Sequence, residues 1–273
     1  MPDITGWRAK VAVIVPSTNT VVEHDMAQWR PPGVTFHAGR MHITNPNLSN
    51  DAEFEGLIEQ LDATIEAAVE RVLTCQPDYM LMGMSAGTFW GGLEGSKAFT
   101  AKVAAWSGLP VSTGSTSTAA ALTAFGVRRI AVFSPYQPVA DHQVRAFFEE
   151  AGFDVLACTG LRCETATAIA EVTPERIGRM VAEIDSPDVE AIVQVGTNLS
   201  FVRQAEDVRV QAILRSVLDM CRALGLEVIC EGVETESTLQ LLRSMGAQFI
   251  QGYAVGRPAP LEQWLNAPPQ TLA

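Results

Sequence analysis

The chain has 273 residues, of which 47% are hydrophobic and only 18% charged, so a sizeable core can form and a mainly disordered chain is excluded. Acidic side chains outnumber Lys plus Arg by 31 to 19, which gives a formal net charge of -12 at pH 7. Such a chain has no broad positive field, so binding to DNA, RNA or an anionic lipid surface is not expected.

Apolar runs alternate with segments of helical period through the first half of the chain. A continuous apolar run indicates a buried strand, whereas apolar residues at three- and four-residue intervals indicate a helix. In chain order, the predicted elements are strands at 10–15 and 34–41, a helix at 51–74, a strand at 79–84, a helix at 96–107, a short strand at 111 and a helix at 116–125.

The second half repeats this alternation. Its predicted elements are strand 128–134, helix 139–151, strand 154–158, helix 174–184, strand 191–196, helix 210–224, strand 227–230, helix 236–245 and strand 249–253. Continuous apolar strands between helices predict the α/β class, with a parallel sheet covered on both faces. In an open sheet and in a closed barrel alike, ligands bind at the carboxyl ends of the strands.

Three loops at predicted strand ends share small hydroxyl and amide side chains. They are PSTNT at 16–20, GMSAGT at 83–88 and GTNLS at 196–200. Backbone N–H groups at such helix starts bind carboxylates or phosphates, and they can stabilise an enolate-like oxyanion. Because Ser, Thr and Asn are also the preferred helix N-caps, simple capping remains the alternative interpretation of each loop.

The cysteines do not indicate a zinc site, and the N-terminus does not indicate export. None of the five cysteines shows metal-finger spacing, and buried reduced thiols are the expectation for them. Residues 1–10 are polar and lack the apolar core of a signal peptide, and no apolar run approaches the roughly 20 residues of a membrane span. The sequence predicts a cytoplasmic protein without a bound metal.

Five segments stand in a specific order: VIVPSTNTVVE, LMGMSAGTFWGGLEG, VFSPYQP, AEVTPERI and IVQVGTNLS. Over about residues 11–202 they resemble the Asp/Glu racemase superfamily, most closely the branch with maleate cis-trans isomerase and arylmalonate decarboxylase. The resemblance implies two pseudo-symmetric flavodoxin-like lobes, 1–115 and 116–203. It also implies cofactor-independent chemistry on a small dicarboxylate or an α-substituted carboxylic acid, and a homo-oligomer.

The superfamily normally places two cysteines beside the substrate, one from each lobe. By resemblance the first position falls at Gly83 and the second at Val195, so neither holds a thiol. Arylmalonate decarboxylases also have glycine at the first position but keep the second cysteine. The proton-transfer residue therefore stays unassigned, and a carboxylate-binding protein without chemistry is the alternative to an enzyme.

The resemblance also implies a binding shell for the carboxylates of the ligand. Tyr136 would donate a hydrogen bond to a developing oxyanion, or it is simply a tyrosine at the start of a helix. The predicted binding residues are Asn19, Gly83, Met84, Ser85, Ala86, Tyr136, Gly196, Thr197 and Asn198.

A second resemblance covers about residues 200–262. EGVET, QGY and GRP occur there in an order typical of the C-terminal end of EAL domains, which are TIM-barrel phosphodiesterases that hydrolyse cyclic di-GMP with divalent metals. By this resemblance Glu231 matches the general base, Glu234 a supporting carboxylate and Gln251 a polar residue at the last strand end. The EAL motif, the DDFG motif and the KID lysine are missing, so an active phosphodiesterase is not expected.

Two interpretations of this C-terminal segment remain open. We predict that 204–273 completes the second lobe, because its helix–strand alternation matches what a flavodoxin-like lobe needs and no linker precedes it. The rival interpretation is a chimera that carries a degenerate, inactive EAL-type module.

Overall fold

The computed structural model describes residues 3–28, 30–200, 215, 218, 222, 227–230, 233, 236–252 and 254–256. The chain divides into two compact units, Met1–Val202 and Arg203–Ala273. Parallel pairing throughout the described sheets confirms the predicted α/β class. No helix in the described part of the chain is both long enough and apolar enough to cross a bilayer.

The first lobe is built on a four-stranded parallel sheet with the order β2-β1-β3-β4. Its strands are β1 (Ala9–Pro16), β2 (Val34–Met41), β3 (Tyr79–Met82) and β4 (Val111–Thr113). Its helices are α1 (Val22–Gln28), α2 (Asp51–Leu73), α3 (Ala86–Phe89), α4 (Gly92–Ser107) and α5 (Gly114–Ala124).

The second lobe has a three-stranded parallel sheet with the order β6-β5-β7. Its strands are β5 (Arg129–Ser134), β6 (Asp154–Gly160) and β7 (Ala191–Gln194). Helices α6 (Pro138–Glu150) and α7 (Pro174–Ile184) follow β5 and β6, and a 3₁₀ helix (Ala168–Glu171) precedes α7.

Local sequence signals explain where the main helices begin. Asn50 caps α2, because its side-chain oxygen accepts a hydrogen bond from Glu53 N at 3.0 Å. Thr173 caps α7 in the same way, and Pro174 occupies the first turn, where its missing N–H costs nothing. The apolar positions of α2 are buried at helical spacing, so this helix covers the first sheet with one face.

One hydrophobic core joins the two lobes. A single cluster of buried side chains contains Ile14 and Met82 from the first sheet together with Ile130 and Val132 from the second. The carboxyl ends of the strands in both sheets are therefore held at fixed positions relative to each other.

Three predicted strands end earlier than the sequence indicates, and one of them is the last strand, Phe249–Ile250, which ends at Ile250 rather than at 253. The other two lie in the Met1–Val202 unit. Strand β3 ends at Met82 rather than at 84, and β7 ends at Gln194 rather than at 196. The residues just beyond both strands turn toward the opposite lobe, where the Thr197 hydroxyl donates to the carbonyl of Gly83 at 3.0 Å. The apolar pattern does not reveal this departure from the sheet because Met84 and Val195 are themselves buried.

The second unit contains strands β8 (Ile229–Cys230) and β9 (Phe249–Ile250), which pair in parallel, and helix α8 (Glu236–Ser244) between them. Of the predicted helix 210–224, the described residues Arg215, Leu218 and Arg222 are helical. Glu231 and Glu234 lie outside the described residues. That 204–273 completes the second lobe stays a prediction.

Candidate functional site

Loops at strand ends of both lobes meet around a small cavity inside the Met1–Val202 unit. Its volume is about 60 Å³, several times what a single water needs. The polar lining side chains are Thr18, Asn19, Ser85, Tyr136, Thr197 and Asn198, and the rest of the lining is Pro16, Ile43, Leu57, Leu61, Met84, Ala86, Ala166, Ile169 and Gly196. Hydrogen bonds connect Asn19 to Thr197, Thr197 to Ser85 and Ser85 to Tyr136, so these polar side chains form one continuous polar side of the cavity.

Asn19 links the start of α1 to the second lobe. Its side-chain oxygen accepts hydrogen bonds from Val21 N at 3.0 Å and Val22 N at 2.9 Å, which caps the helix. Its Nδ2 donates to Thr197 Oγ1 at 3.3 Å. The capping interpretation is thus correct for Asn19, and the same side chain also lines the cavity.

Asn198 makes the reciprocal contact from the second lobe. Its side-chain oxygen accepts from Thr20 N at 3.0 Å, and its Nδ2 donates to the carbonyl of Ala166 at 2.9 Å. The side chain is 6% exposed. The loops at 16–20 and 196–200 therefore hold each other across the cavity through two amide side chains.

Ser85 and Tyr136 form the hydroxyl pair of the cavity. Ser85 Oγ and the Tyr136 hydroxyl are 2.5 Å apart, and the two residues are 6% and 5% exposed. Thr197 N also donates to Ser85 Oγ, at 3.3 Å. The ring of Phe54 packs edge-on against the Tyr136 ring, with centroids 5.2 Å apart, so the phenol is fixed from the side as well.

The phenol of Tyr136 stays protonated at neutral pH. Burial raises its pKa far above the ordinary value of 10.0, and the negative charge of Asp141 raises it further, while the hydrogen bond with Ser85 acts in the opposite direction. A neutral phenol in this position can donate a hydrogen bond to an anion, but it is a poor proton acceptor. This favours oxyanion stabilisation over general-base chemistry.

No thiol is among the described residues that line the cavity. Gly83, at the first expected cysteine position, contributes only its carbonyl, and a Cβ there would lie 2.5 Å from Val15 Cγ1. Val195, at the second position, is 3% exposed and is not part of the lining, which the next residue, Gly196, joins instead. Burial raises the pKa of Cys158 to about 12, so this thiol is no ready nucleophile.

The structure brings almost all of the predicted binding residues together. The predicted residues that line the cavity are Asn19, Met84, Ser85, Ala86, Tyr136, Gly196, Thr197 and Asn198. Gly83 contacts Thr197, because its carbonyl accepts a hydrogen bond from the Thr197 hydroxyl. Gln251, from the EAL-like segment, is exposed, and its backbone pairs with Cys230 and Val233. Among the described residues, no group of three or more His, Cys, Asp or Glu side chains is placed to hold a metal ion.

The sequence did not indicate several of the apolar residues that line the cavity, which are called the apolar wall below. Ile43 follows β2, Ala166 and Ile169 follow β6, and Leu57 and Leu61 lie on α2. The rule that ligands bind at strand ends applies to β2 and β6 as much as to the other strands, and it would have found the first three. The α2 residues carry no such signal because they have the same helical spacing as ordinary core residues.

Family models match most of the chain in two consecutive parts. The model for arylmalonate decarboxylase matches residues 11–194. The model for the EAL domain matches residues 193–258.

Solved structures show the same fold. The maleate isomerase Iso from Pseudomonas putida S16 has a TM-score of 0.64 at 19% identity, with 80% of this chain and 93% of that chain covered. A Nocardia farcinica maleate cis-trans isomerase with a covalently bound succinylcysteine intermediate gives 0.63 at 20% identity, over 80% and 93%. Unliganded arylmalonate decarboxylase gives 0.53 at 21% identity, over 80% and 84%.

Curated relatives match only short stretches. The cyclic di-GMP phosphodiesterase PdeB of Shewanella oneidensis is 42% identical over 53 residues, which is 19% of this chain and 6% of that protein. The probable cyclic di-GMP phosphodiesterase PdeA of Escherichia coli is 36% identical over 87 residues, which is 32% and 11%. The chain thus spans a small part of the length of these proteins.

Proposed function

Because the chain belongs to the arylmalonate decarboxylase family, we propose that it is a cofactor-independent enzyme of the decarboxylase or isomerase type. Its substrate would be a small α-substituted carboxylic acid. The observation that carries this proposal is the Ser85–Tyr136 hydroxyl pair, which is buried at the polar side of an otherwise apolar cavity. By resemblance, the same proposal includes a cytoplasmic homo-oligomer.

The residues that line the cavity favour an acid with an apolar substituent over an acid that is charged at both ends. In the part of the chain that the structure describes, the lining contains no Lys or Arg, so a carboxylate would be held there by hydroxyl, amide and backbone N–H donors. The apolar wall of the cavity, which includes Ile43, Leu61 and Ile169, suits an apolar substituent. A second carboxylate against that wall would lose its hydration without a partner, which disfavours a ligand that stays charged at both ends.

The same lining suits loss of carbon dioxide from a substituted malonate. When the bond between the α-carbon and the departing carboxylate breaks, its electron pair moves onto the remaining carboxylate as an enediolate. The hydroxyls of Tyr136 and Ser85 would stabilise the developing negative charge. The α-carbon then takes a proton from water, since the lining residues that the structure describes include no thiol to supply it.

The second candidate function is a carboxylate-binding protein without chemistry. It is favoured by one specific observation, the absence of a thiol from both expected cysteine positions, Gly83 and Val195. The polar loops that would hold the carboxylate are the same in both candidates. A degenerate EAL-type cyclic di-GMP module is a third candidate, and it would not use this cavity.

A thermal-shift experiment separates the two candidates that bind an acid in this cavity from the EAL-type module. We expect phenylmalonate to raise the unfolding temperature more than maleate does, and Tyr136→Phe to reduce the effect. Tyr79→Phe is the matched control, because the Tyr79 hydroxyl pairs with Ser112 Oγ on the surface. Stabilisation by cyclic di-GMP with Mg²⁺, and by no acid, would contradict the proposal.

Proton NMR in heavy water then separates the enzyme from the binding protein. Decarboxylation of phenylmalonate, or deuterium at the α-carbon of the product acid, is the result expected of an enzyme. A bound but unchanged ligand after prolonged incubation would establish the binding protein instead.

A further inference from the structure

The backbone of Tyr136 is held on both sides by polar side chains that do not line the cavity. Tyr136 N donates a hydrogen bond to Ser134 Oγ at 2.9 Å. The carbonyl of Tyr136 accepts one from Arg162 Nη1 at 2.6 Å. The two backbone polar groups of this residue are therefore fixed independently of its phenol.

Asp141 connects these two contacts. Ser134 Oγ donates to one of its carboxylate oxygens at 2.5 Å, and Arg162 Nη1 donates to the other at 2.5 Å. Asp141 is 6% exposed and lies on the buried side of α6. One buried carboxylate thus holds both groups that hold the Tyr136 backbone, and charge-assisted bonds of this kind are stronger than neutral ones.

The backbone conformation at residues 160 and 162 allows Ser134, Asp141 and Arg162 to make these contacts. Arg162 adopts a φ of 56°, in the left-handed region that non-glycine residues rarely occupy. Gly160 lies so close that a Cβ on it would collide with Arg162 Nη1, with the carbonyl of Tyr136 and with an Asp141 carboxylate oxygen. Only glycine leaves room here for the three groups to meet.

We infer that Asp141 is a positioning residue for Tyr136, which it holds through Ser134 and Arg162 so that the phenol meets Ser85 at the polar side of the cavity. The inference rests on the proposed function, since it gives Tyr136 a role toward the ligand. Asp141 itself does not line the cavity and is not assigned a contact with the ligand. Its negative charge also adds to the effect of burial in keeping the phenol protonated.

Two variants test this inference by different routes. Asp141→Asn keeps the shape and the acceptor for Ser134 but removes the charge that pairs with Arg162. Gly160→Ala keeps every polar group of the cluster but forces these groups apart, because the new Cβ would collide with three of them. The matched control is Glu190→Gln, because Glu190 is a carboxylate of the same lobe that accepts hydrogen bonds from the backbone of Arg128 and Arg129 at the opposite end of β5.

The first readout is the ring-carbon NMR signal of Tyr136 in the full chain at neutral pH, assigned by its loss in Tyr136→Phe. We expect both variants to displace this signal and Glu190→Gln to leave it in place. The second readout is calorimetric binding of phenylmalonate. The loss of one positioning hydrogen bond predicts binding that is about tenfold weaker in Asp141→Asn.

The inference about Asp141 and the proposed function can fail independently of each other. An unchanged Tyr136 signal in folded Asp141→Asn would overturn the inference, and if that variant does not fold, the signal in Gly160→Ala decides. A displaced signal with unchanged phenylmalonate affinity would also overturn it, since positioning would then have no effect on the ligand. If the unaltered chain does not bind phenylmalonate, the proposed function fails for this acid, while the tyrosine signal still decides whether Asp141 positions Tyr136.

Discussion

Ser85 of the first lobe and Tyr136 of the second share a buried hydrogen bond of 2.5 Å although 51 residues separate them in the chain. Ser85 follows β3, and Tyr136 follows β5. Each residue is brought to the cavity by the strand that precedes it, so the pair exists only when both sheets have formed and packed together. The contact is thus both a part of the candidate site and a bond between the lobes.

A double-mutant cycle on this pair measures the second role. We expect Ser85→Ala and Tyr136→Phe each to lower the free energy of unfolding by about 1 kcal/mol, because each leaves a buried hydroxyl with fewer partners. The double variant should lose less than the sum of the two, since the bond can be removed only once. Urea unfolding of the four chains gives the coupling energy.

The surface pair Tyr79–Ser112 is the matched control for that cycle. Its oxygens are 2.7 Å apart, but Tyr79 lies on the exposed part of β3. Water replaces a hydrogen bond lost there, so Tyr79→Phe should change the free energy of unfolding by less than about 0.5 kcal/mol. If Tyr79→Phe and Tyr136→Phe lower the free energy of unfolding equally, burial does not determine how much these hydrogen bonds contribute.

Asn19→Asp separates helix capping from ligand binding. The aspartate keeps an oxygen for the N–H groups of Val21 and Val22, so the cap on α1 should be retained, while the buried negative charge should lower the free energy of unfolding. It loses the Nδ2 donor to Thr197 and places a negative charge at the cavity, which should abolish stabilisation by phenylmalonate in a thermal-shift assay.

Asn50→Asp is the corresponding change at the cap of α2, where the side chain is exposed and does not line the cavity. It should leave the response to phenylmalonate intact. A response that survives in Asn19→Asp would show that the ligand does not bind beside Asn19.

The sequence predicted most of the polar side of the site because two independent signals coincide there. Strand-end loops rich in Ser, Thr and Asn mark places where backbone N–H groups are free, and the family resemblance indicated the same loops. These signals predicted Asn19, Ser85 and Thr197, all of which line the cavity. Tyr136 rests on resemblance alone, since a tyrosine before α6 carries no signal of its own in the sequence.

Two kinds of feature could not be predicted. The short helices α1 and α3, of seven and four residues, are too short to show a clear helical period. The contacts of Asp141 with Ser134 and Arg162 depend on a left-handed residue and on a glycine two positions before it, and nothing in the sequence pattern brings these groups together. Strand order and side-chain direction have to be known first.

Alkaline pH should destabilise the fold through Cys158. Burial, and then the nearby charge of Asp141, raises the pKa of this thiol from 9.0 to about 12. The unfolded chain therefore releases the proton at lower pH than the folded chain does. The stabilisation from this difference is fully present below pH 9 and is lost as the pH rises toward 12.

Urea unfolding at several pH values between 8 and about 11 tests this expectation. The free energy of unfolding should fall with increasing pH, and the fall should be less steep in Cys158→Ala. The buried phenol of Tyr136 acts in the same direction, so some slope should remain in that variant. Identical slopes in the two chains would show that the Cys158 thiol ionises alike in both states.

Gly83 is predicted to resist substitution by any residue that carries a side chain. A Cβ there would lie 2.5 Å from Val15 Cγ1 and 2.9 Å from Val13 Cγ1, both in the rigid strand β1. Gly83→Ala should therefore lower the free energy of unfolding by about 1–3 kcal/mol, as overpacking does. Gly178→Ala, in α7 with nothing within 4 Å of the new Cβ, should instead raise it by about 0.5–1 kcal/mol.

The same geometry decides how a thiol can be introduced at this position. Gly83→Cys alone should be destabilised like Gly83→Ala, whereas adding Val15→Ala removes the nearest colliding atom and should recover part of the loss. Urea unfolding of the single and double variants measures the recovery. If Gly83→Cys proves as stable as the unaltered chain, β1 must shift to accommodate the new side chain. The packing of Val15 would then not prevent a thiol at this position.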